Sequence, residues 1–321
     1  MPPVDRNNPV RAKSSDSRVS FMEFIREYPD DDACLTFLWR TRYAEDGENA
    51  ECPKCETVRS FKRYETAQRR QSWTCTACGH HIHPTAGTIF HKSSTSLHLW
   101  FYAIYLVSSS RCGIAAKQLE REIGVNYKTA LRMLHLIREQ LMEQDYTGPL
   151  SGEVEADETF IGGKMRESDR RRLRKEGIQY PGPYWKKRDI VVAAVERGGK
   201  VRAAVVKHRG QAAPTVASFV LPGSMVFTDD WTGYDPMMKS GRYIHRRINH
   251  SQRVYVHGDV HTQTIEGFFG HFKTDVRGTH HSISTRWLPG YLNEWVWKWN
   301  HRNDDAAMFR TLLDNAANQL H

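Results

Sequence analysis

The sequence lacks any apolar run as long as the roughly 20 residues that a bilayer-spanning helix requires. The apolar stretch LHLWFYAIYLV at 97–107 is short and contains His98. The amino-terminal region also lacks the apolar core of a secretory signal peptide. These absences argue against a membrane role and against secretion, and they predict a reducing, cytoplasmic environment.

Acidic residues are fewer than basic ones. Lys plus Arg exceed Asp plus Glu by nine, and the sequence pI is about 9.2. Many of the basic residues cluster, which predicts a polyanionic partner such as nucleic acid. With 321 residues and 39% hydrophobic content, the chain can build a sizeable core, and we expect two or three domains.

Cysteine is scarce, and four of the six cysteines form two C-x-x-C pairs with 19 residues between them. This spacing is typical of a zinc ribbon. Disulfide pairing is the alternative, but a reducing compartment favours metal binding. We therefore expect one structural Zn²⁺ bound by Cys52, Cys55, Cys75 and Cys78.

Other potential ligands lie near the two pairs. Four thiolates already fill a tetrahedral shell, so His80, His81 and His83 are expected to be surface residues or nucleic-acid contacts. Cys34 and Cys112 have no partner at ligand spacing and lie in apolar stretches, which predicts two buried thiols.

The segment RCGIAAKQLEREIGVNYKTALRMLHLIREQL has apolar residues at helical spacing, interrupted at Gly124 and Asn126. Two helices joined by a short turn form a helix-turn-helix, with Asn126 as N-cap of the second helix. An ordinary helical hairpin is the alternative. In the first interpretation the second helix begins with residues that face DNA, namely Tyr127, Lys128, Thr129 and Arg132.

From about residue 150, β-branched runs dominate the sequence. Gly198-Gly199 lies between two such runs and predicts a hairpin that makes the first three strands antiparallel neighbours. The predicted order is three strands, then helix, strand, helix, strand and helix. This is a ribonuclease-H-like order, with a mixed five-stranded sheet covered by helices.

Three acidic residues lie beside apolar or glycine-rich segments: Asp157 in VEADETFIGGK, Asp229 in VFTDDWTGY and Glu266 in HTQTIEGFFGHFK. In the predicted order they lie on the first strand, at the end of the fourth strand and at the start of a helix, from where they can converge. Such carboxylates can hold two Mg²⁺ ions against a phosphodiester. Lys273 lies two helical turns after Glu266, on the same face, where it can hold the DNA backbone.

Neighbouring acids compete with Asp157. Glu155 has the same strand parity and is expected on the same face of the sheet, whereas Glu158 is expected on the opposite face. Any one of these residues taken alone is more often a solvated carboxylate than a metal ligand. Only the set of three acids on separate elements favours the metal site.

The basic segment at 165–188 separates the first two predicted strands. We expect it to lie along DNA, with Tyr184 and Trp185 stacking on bases. The alternative is a solvated loop whose aromatic residues anchor it to the sheet. Its predicted DNA-binding residues are Arg170, Arg171, Arg172, Lys186, Lys187 and Arg188.

The order of the motifs resembles that of a known family. CPKC and CTACGHHIHPTAGTIFHKS resemble its zinc ribbon and linker, and GIAAKQLEREIGVNYKTALRML resembles its helix-turn-helix. VEADETFIGGK, TDDWTGY and HTQTIEGFFGHFK resemble the segments that carry its catalytic acids, and RGTHHSIS and YLNEWVWKWNHR resemble its closing blocks. Across nearly its whole length, the chain is similar to DDE-type insertion-sequence transposases of the bacterial group related to Merlin elements.

The resemblance implies hydrolysis at transposon ends, followed by attack of the freed 3′-hydroxyl on target DNA. It implies two Mg²⁺ or Mn²⁺ ions per active site, held by Asp157, Asp229 and Glu266, and one structural Zn²⁺. The implied partners are double-stranded DNA, both transposon ends and target, and further copies of the chain. Two ends must be handled together, which predicts at least a homodimer in a nucleoid-associated complex of the bacterial cytoplasm.

The third acid has competitors. The family's third position can be Glu, Asn or His, and some members have Asn where this chain has Gln263. A carboxylate binds Mg²⁺ better than an amide does, which favours Glu266. Gln263 and Asp259 are the alternatives, and Asp229 is preferred over Asp230 because it is nearer the strand end.

The predicted organisation is α+β and multidomain. The expected parts are a disordered tail at 1–17, amino-terminal helices at 18–45, a zinc ribbon at 46–90, a helix-turn-helix domain at 91–147, a ribonuclease-H-like catalytic domain at 148–303 and a tail at 304–321. Two other functions fit part of this pattern: a domesticated DNA-binding regulator, and a ribonuclease-H-type nuclease that cuts without strand transfer.

Overall fold

The computed structural model divides into two compact units, residues Met1–Leu141 with Asp304–His321, and residues Met142–Asn303. Within the described residues, no helix is both long and apolar enough to cross a membrane. The predicted tail at 1–17 lies outside the described residues. The structure describes residues 19–65, 71–143, 148–162, 171, 174–177, 189–248, 262–281, 283–304 and 307–318.

The first unit begins with the two predicted short helices, α1 (Phe21–Glu27) and α2 (Asp31–Arg42). Each has a polar N-cap. The Ser20 hydroxyl accepts the N–H of Glu23, and the Asp30 carboxylate accepts the N–H of Ala33 at 2.9 Å. These caps satisfy N–H groups that a helix start otherwise leaves without partners, which explains why both helices begin where they do.

A four-stranded antiparallel sheet follows α2, with strands in the order β1-β2-β3-β4. Trp39 of α2 stacks on Trp73 with ring centroids 4.8 Å apart, and its Nε1 donates to the carbonyl of Gly47 at 2.8 Å. The buried indole of Trp39 therefore connects this small sheet to helix α2. The strands are β1 (Asn49–Cys52), β2 (Thr57–Glu65), β3 (Gln71–Cys75) and β4 (His81–Ile82).

Three helices complete the middle of this unit: α3 (Leu97–Ser109), α4 (Ala116–Ile123) and α5 (Tyr127–Leu136). Gly124 ends α4 in the left-handed conformation with φ 68°, which favours glycine. The Asn126 side chain accepts the N–H of Thr129 at 2.9 Å. The predicted pair of helices, glycine turn and N-cap are confirmed, whereas the assignment as a DNA-binding helix-turn-helix stays a prediction.

Two features differ from what the sequence suggests. Cys112 is exposed, so its predicted burial is wrong: α3 ends at Ser109 and Cys112 lies in the following turn, whereas Cys34 is buried as predicted. The range 304–321, predicted as a tail, contains helix α10 (Met308–Ala317). Phe309 of α10 is buried and packs edge-on against Phe24.

The second unit is built on a mixed five-stranded sheet, as predicted, and its strands lie in the order β7-β6-β5-β8-β9. The first three strands are antiparallel, and Gly198 forms the β6–β7 turn with φ 73°. Strand β8 is parallel to β5, and β9 is parallel to β8. The strands are β5 (Glu153–Ile161), β6 (Asp189–Glu196), β7 (Val201–Val206), β8 (Met225–Asp229) and β9 (Ile244–Ile248).

Helices cover both faces of this sheet. The first face, with Val154 and Ala156, packs against α6 (Ala212–Phe219) and α7 (Asp235–Lys239). The second face packs against the two helices α8 (Gln263–Gly278) and α9 (Leu288–His301). Successive side chains of a strand point to opposite faces, so alternate residues of β5 lie against different pairs of helices.

Candidate functional site

The four cysteines of the C-x-x-C pairs converge, and their Sγ atoms all lie within 4.8 Å of one another. The Sγ atoms of Cys52 and Cys78 are 3.6 Å apart. Four sulfurs around Zn²⁺, each at about 2.3 Å from the metal, lie about 3.8 Å apart. The arrangement therefore fits the predicted Zn²⁺ site.

The two C-x-x-C turns have the same backbone geometry. The carbonyl of Cys52 accepts the N–H of Glu56 at 2.8 Å, and the carbonyl of Cys75 accepts the N–H of Gly79 at 2.9 Å. Both donor residues have a left-handed backbone conformation, with φ 53° at Glu56 and 71° at Gly79. The two turns can therefore present their thiols to one point in equivalent ways.

The thiols do not ionise alike. Burial of Cys75 works against its thiolate, but N–H groups of Cys78 and Ala77 hydrogen-bond to it and lower its pKa to about 7. The pKa of Cys55 is raised to about 12, chiefly by its hydrogen bond with Cys78 and by burial. Of Cys55 and Cys75, Cys75 is therefore the thiol that ionises more readily to a thiolate ligand.

The candidate acidic site is centred on Asp157, in the middle of β5. Asp157 pairs with Ala193, which places it on the face covered by α8 and α9. Burial, together with the negative charges of Glu158 and Asp229, raises the pKa of its carboxyl to about 7. This carboxyl is therefore held where negative charge is unfavourable unless a cation is near.

Asp229 is the last residue of β8, as predicted. Strands β5 and β8 run parallel, with Glu155 opposite Phe227. The negative charge of Asp229 acts on the carboxyl of Asp157, so the two carboxylates lie within electrostatic range of each other. The structure thus brings two of the predicted acids together, and Asp230 is exposed.

Lys273 lies on α8 near Asp157. Burial lowers the pKa of its ammonium group, and the negative charge of Asp157 opposes that shift. Its Nζ also lies 5.9 Å from the ring centroid of Phe269. Lys273 therefore offers a half-buried positive charge to the same site as Asp157 and Asp229.

Glu266 lies in the first turn of α8, and its exposed carboxylate accepts the hydroxyl of Thr262 at 3.0 Å. Gln263 begins the helix and is also exposed. In the described part of the chain, the four cysteines alone form a group of three or more potential metal ligands that converge within 4.8 Å. The three predicted acids do not approach that closely, and Asp259 lies outside the described residues.

Glu158 lies on the opposite face from Asp157, as the alternation of strand side chains predicts. It is buried, accepts the hydroxyl of Tyr234 at 2.7 Å and the Nε of Arg209 at 2.6 Å. The guanidinium of Arg209 lies 3.7 Å from the ring centroid of Trp231. This cluster behind the site has no signal in the sequence, because its members are far apart along the chain.

The predicted DNA-binding residues of α5 differ in exposure. Tyr127, Lys128 and Arg132 are exposed, whereas Thr129 is half-buried and its N–H is taken by the N-cap. In the basic segment, Arg171 is exposed. The other predicted contacts lie outside the described residues, namely Arg170, Arg172, Tyr184, Trp185, Lys186, Lys187 and Arg188.

Comparison with known proteins gives two similarities. Residues 149–300, which cover the sheet and its helices, match the ISXO2-like transposase domain. The chain is also 29% identical over 244 residues to an uncharacterized protein in transposable element ISH50 of Halobacterium salinarum, covering 74% of this chain and 77% of that protein. Both similarities support the predicted resemblance to DDE-type insertion-sequence transposases.

Proposed function

We propose that this protein is a transposase, a metal-dependent enzyme that cuts DNA at the terminal inverted repeats of its element and joins the freed 3′-hydroxyl to target DNA. The observation that carries the proposal is the adjacent pair Asp157 and Asp229, with Lys273 beside it. Two like charges held together in a half-buried site favour a cation between them. An all-oxygen donor set suits Mg²⁺ or Mn²⁺.

In this proposal Asp157, Asp229 and Glu266 hold two divalent ions. Ions bound there would activate an attacking water or 3′-hydroxyl and would stabilise the leaving oxygen. Lys273, half-buried on α8, holds a phosphate of the DNA backbone close to the acids. Asp157 is paired with Ala193 of β6 and Asp229 with Ile248 of β9, so both acids are held by the sheet and their positions do not depend on loop conformation.

The remaining parts of the chain would bind and align the DNA. The strand order of the second unit supports a ribonuclease-H-like catalytic domain at 148–303. The capped, exposed start of α5 supports a helix-turn-helix domain at 91–147, and the cysteine cluster supports a Zn²⁺-bound ribbon at 46–90. Because two element ends must meet, we propose a homodimer or larger homo-oligomer on DNA in the bacterial cytoplasm.

A strand-transfer assay tests this function. The zinc-loaded chain is incubated with Mg²⁺, a target plasmid and a labelled oligonucleotide that carries the element's terminal repeat with a free 3′-hydroxyl. We expect joined products that are lost on chelation. Cleavage without joining would instead indicate a nuclease, and specific binding without either reaction would indicate a DNA-binding regulator.

The proposed recognition helix makes a separate prediction. Replacing Lys128 and Arg132 together by alanine should reduce the slope of log binding constant against log salt by about 0.9 per lost phosphate contact, or about 1.8 for both. The measurement is fluorescence anisotropy with the terminal-repeat duplex at several salt concentrations.

The matched control for this pair is Arg26→Ala. Arg26 is an exposed residue of α1, a helix that packs through Phe24 against Tyr102 and Phe309. It carries the same charge but is not on α5, so its loss should leave the slope unchanged. An equal slope for the double variant and for Arg26→Ala would exclude α5 from the DNA interface.

A further inference from the structure

Glu155 is a fully buried carboxylate that joins β5 to the start of α8. Its Oε2 accepts the backbone N–H of Thr264 at 2.8 Å and that of Ile265 at 3.1 Å. Its Oε1 accepts the Thr264 hydroxyl at 3.1 Å. Glu155 therefore makes the hydrogen bonds that an N-cap side chain normally makes, although it lies on another element.

Helix α8 needs this external cap. Its own N-cap residue, Thr262, makes no capping hydrogen bond with its side chain. The Thr262 hydroxyl donates instead to the carboxylate of Glu266. A negative charge at a helix start is also favoured by the helix dipole. The contact with Glu155 thus sets where the first turn of α8 lies relative to β5.

Arg197 holds the carboxylate of Glu155 in place. Its Nε donates to Glu155 Oε1 at 2.9 Å, and its Nη1 donates to Glu153 at 2.7 Å. The same guanidinium lies 4.1 Å from the ring centroid of Phe227 on β8. One arginine therefore connects Glu155 with the strand that ends in Asp229.

The positions of these contacts matter for the acids. Glu155 precedes Asp157 by two residues and shares its face of the sheet. The N–H groups that it accepts belong to the two residues directly before Glu266. A single buried side chain thus links the strand of the first acid to the helical turn of the third.

We infer that Glu155 is a positioning residue for metal binding, because it fixes the first turn of α8, and with it Glu266, relative to the strand of Asp157. This inference rests on the proposed function, because it assigns Glu155 a role in that same site. Glu155 does not hold the metal itself in this scheme. Its carboxylate is occupied by Arg197 and by the amides of α8.

The test compares Glu155→Gln with Glu153→Gln in the full-length, zinc-loaded chain. Glu153→Gln is the matched control, since it removes one negative charge from the same strand and from the same arginine but leaves the contacts with α8 intact. Calorimetric titration with Mn²⁺ alone, without DNA, gives the dissociation constant. The Mn²⁺ concentration for half-maximal cleavage and the melting temperature are measured in parallel.

We expect Glu155→Gln to weaken Mn²⁺ binding by about 10-fold or more, in the range typical for residues that orient metal ligands. Glu153→Gln should stay within about twofold of the wild type. A purely structural role would lower the melting temperature of Glu155→Gln but leave Mn²⁺ binding equal to that of Glu153→Gln, and this result would overturn the inference.

A second variant covers the case in which Glu155→Gln does not fold. Glu155→Asp keeps the charge but is shorter by one methylene, so it cannot reach both Arg197 and the α8 amides equally well. It should also weaken Mn²⁺ binding, and wild-type affinity in this variant would overturn the inference. A wild type that binds Mn²⁺ no better than Asp157→Asn would contradict the proposed metal site itself.

Discussion

Replacing Asp157 by asparagine is expected to abolish DNA cleavage and joining while making the chain more stable in the absence of divalent cations. The loss of activity should reach about 10³-fold or more, because the removed carboxylate would hold the divalent ions that the reaction requires. Strand transfer with the labelled terminal-repeat oligonucleotide measures this loss. The gain in stability follows from the electrostatics of the buried site.

The sign of the stability effect comes from the raised pKa. The carboxyl of Asp157 titrates near pH 7 in the folded chain, because burial and then the charges of Glu158 and Asp229 disfavour its ionised form. An unfolded Asp titrates near pH 4, so stability falls as pH rises from about 4 to about 7. Asparagine does not ionise, so Asp157→Asn should not stabilise the fold below about pH 4 and should stabilise it fully above about pH 7.

The expected gain at pH 8 is on the order of 2 to 3 kcal/mol after a discount for partial exposure, or several degrees in melting temperature. Thermal melting with chelator at pH 4.5 and pH 8 measures it. Asp230→Asn is the control, since Asp230 is exposed and should change neither activity nor melting. Retained strand transfer in Asp157→Asn would remove Asp157 from the active site.

Replacing Cys75 by serine is expected to release the Zn²⁺ and unfold the four-stranded sheet of the first unit. Structural Zn²⁺ contributes roughly 10 to 16 kcal/mol of apparent binding free energy in small zinc domains. This sheet has few other sources of stability, because three of its four strands have five residues or fewer. Atomic absorption should show one Zn²⁺ per wild-type chain and almost none in the variant.

Hydrogen exchange should localise the damage. We expect the amides of β1 to β4 to lose protection in Cys75→Ser while those of β5 to β9 keep it, because the two sets of strands belong to different compact units. Cys112→Ser is the control, since Cys112 is exposed and lies outside the cluster. Full zinc content in Cys75→Ser would show that the four cysteines do not form the metal site.

Much of the architecture could be predicted from the sequence because its signals are local. Gly124 and Asn126 mark a helix end and a helix start within three residues, and the hairpin at Gly198 needs only a turn between two β-branched runs. The succession of strands and helices along the second unit follows from periodicity and turn signals. The exposure of Cys112 was missed because apolar neighbours in the sequence do not determine where a helix ends.

Apart from helix α10, the sequence by itself therefore determined most of the helices and strands, where the C-x-x-C turns lie and which acids end or begin an element. Only the tertiary structure decided how the acids differ. Glu155 and Asp157 lie on the same face of β5. The carboxylate of Glu155, however, is hydrogen-bonded to Arg197, 42 residues away, and to the backbone N–H of Thr264, 109 residues away. Strand periodicity assigns a face to a side chain, but its partner on that face is set by packing between distant segments.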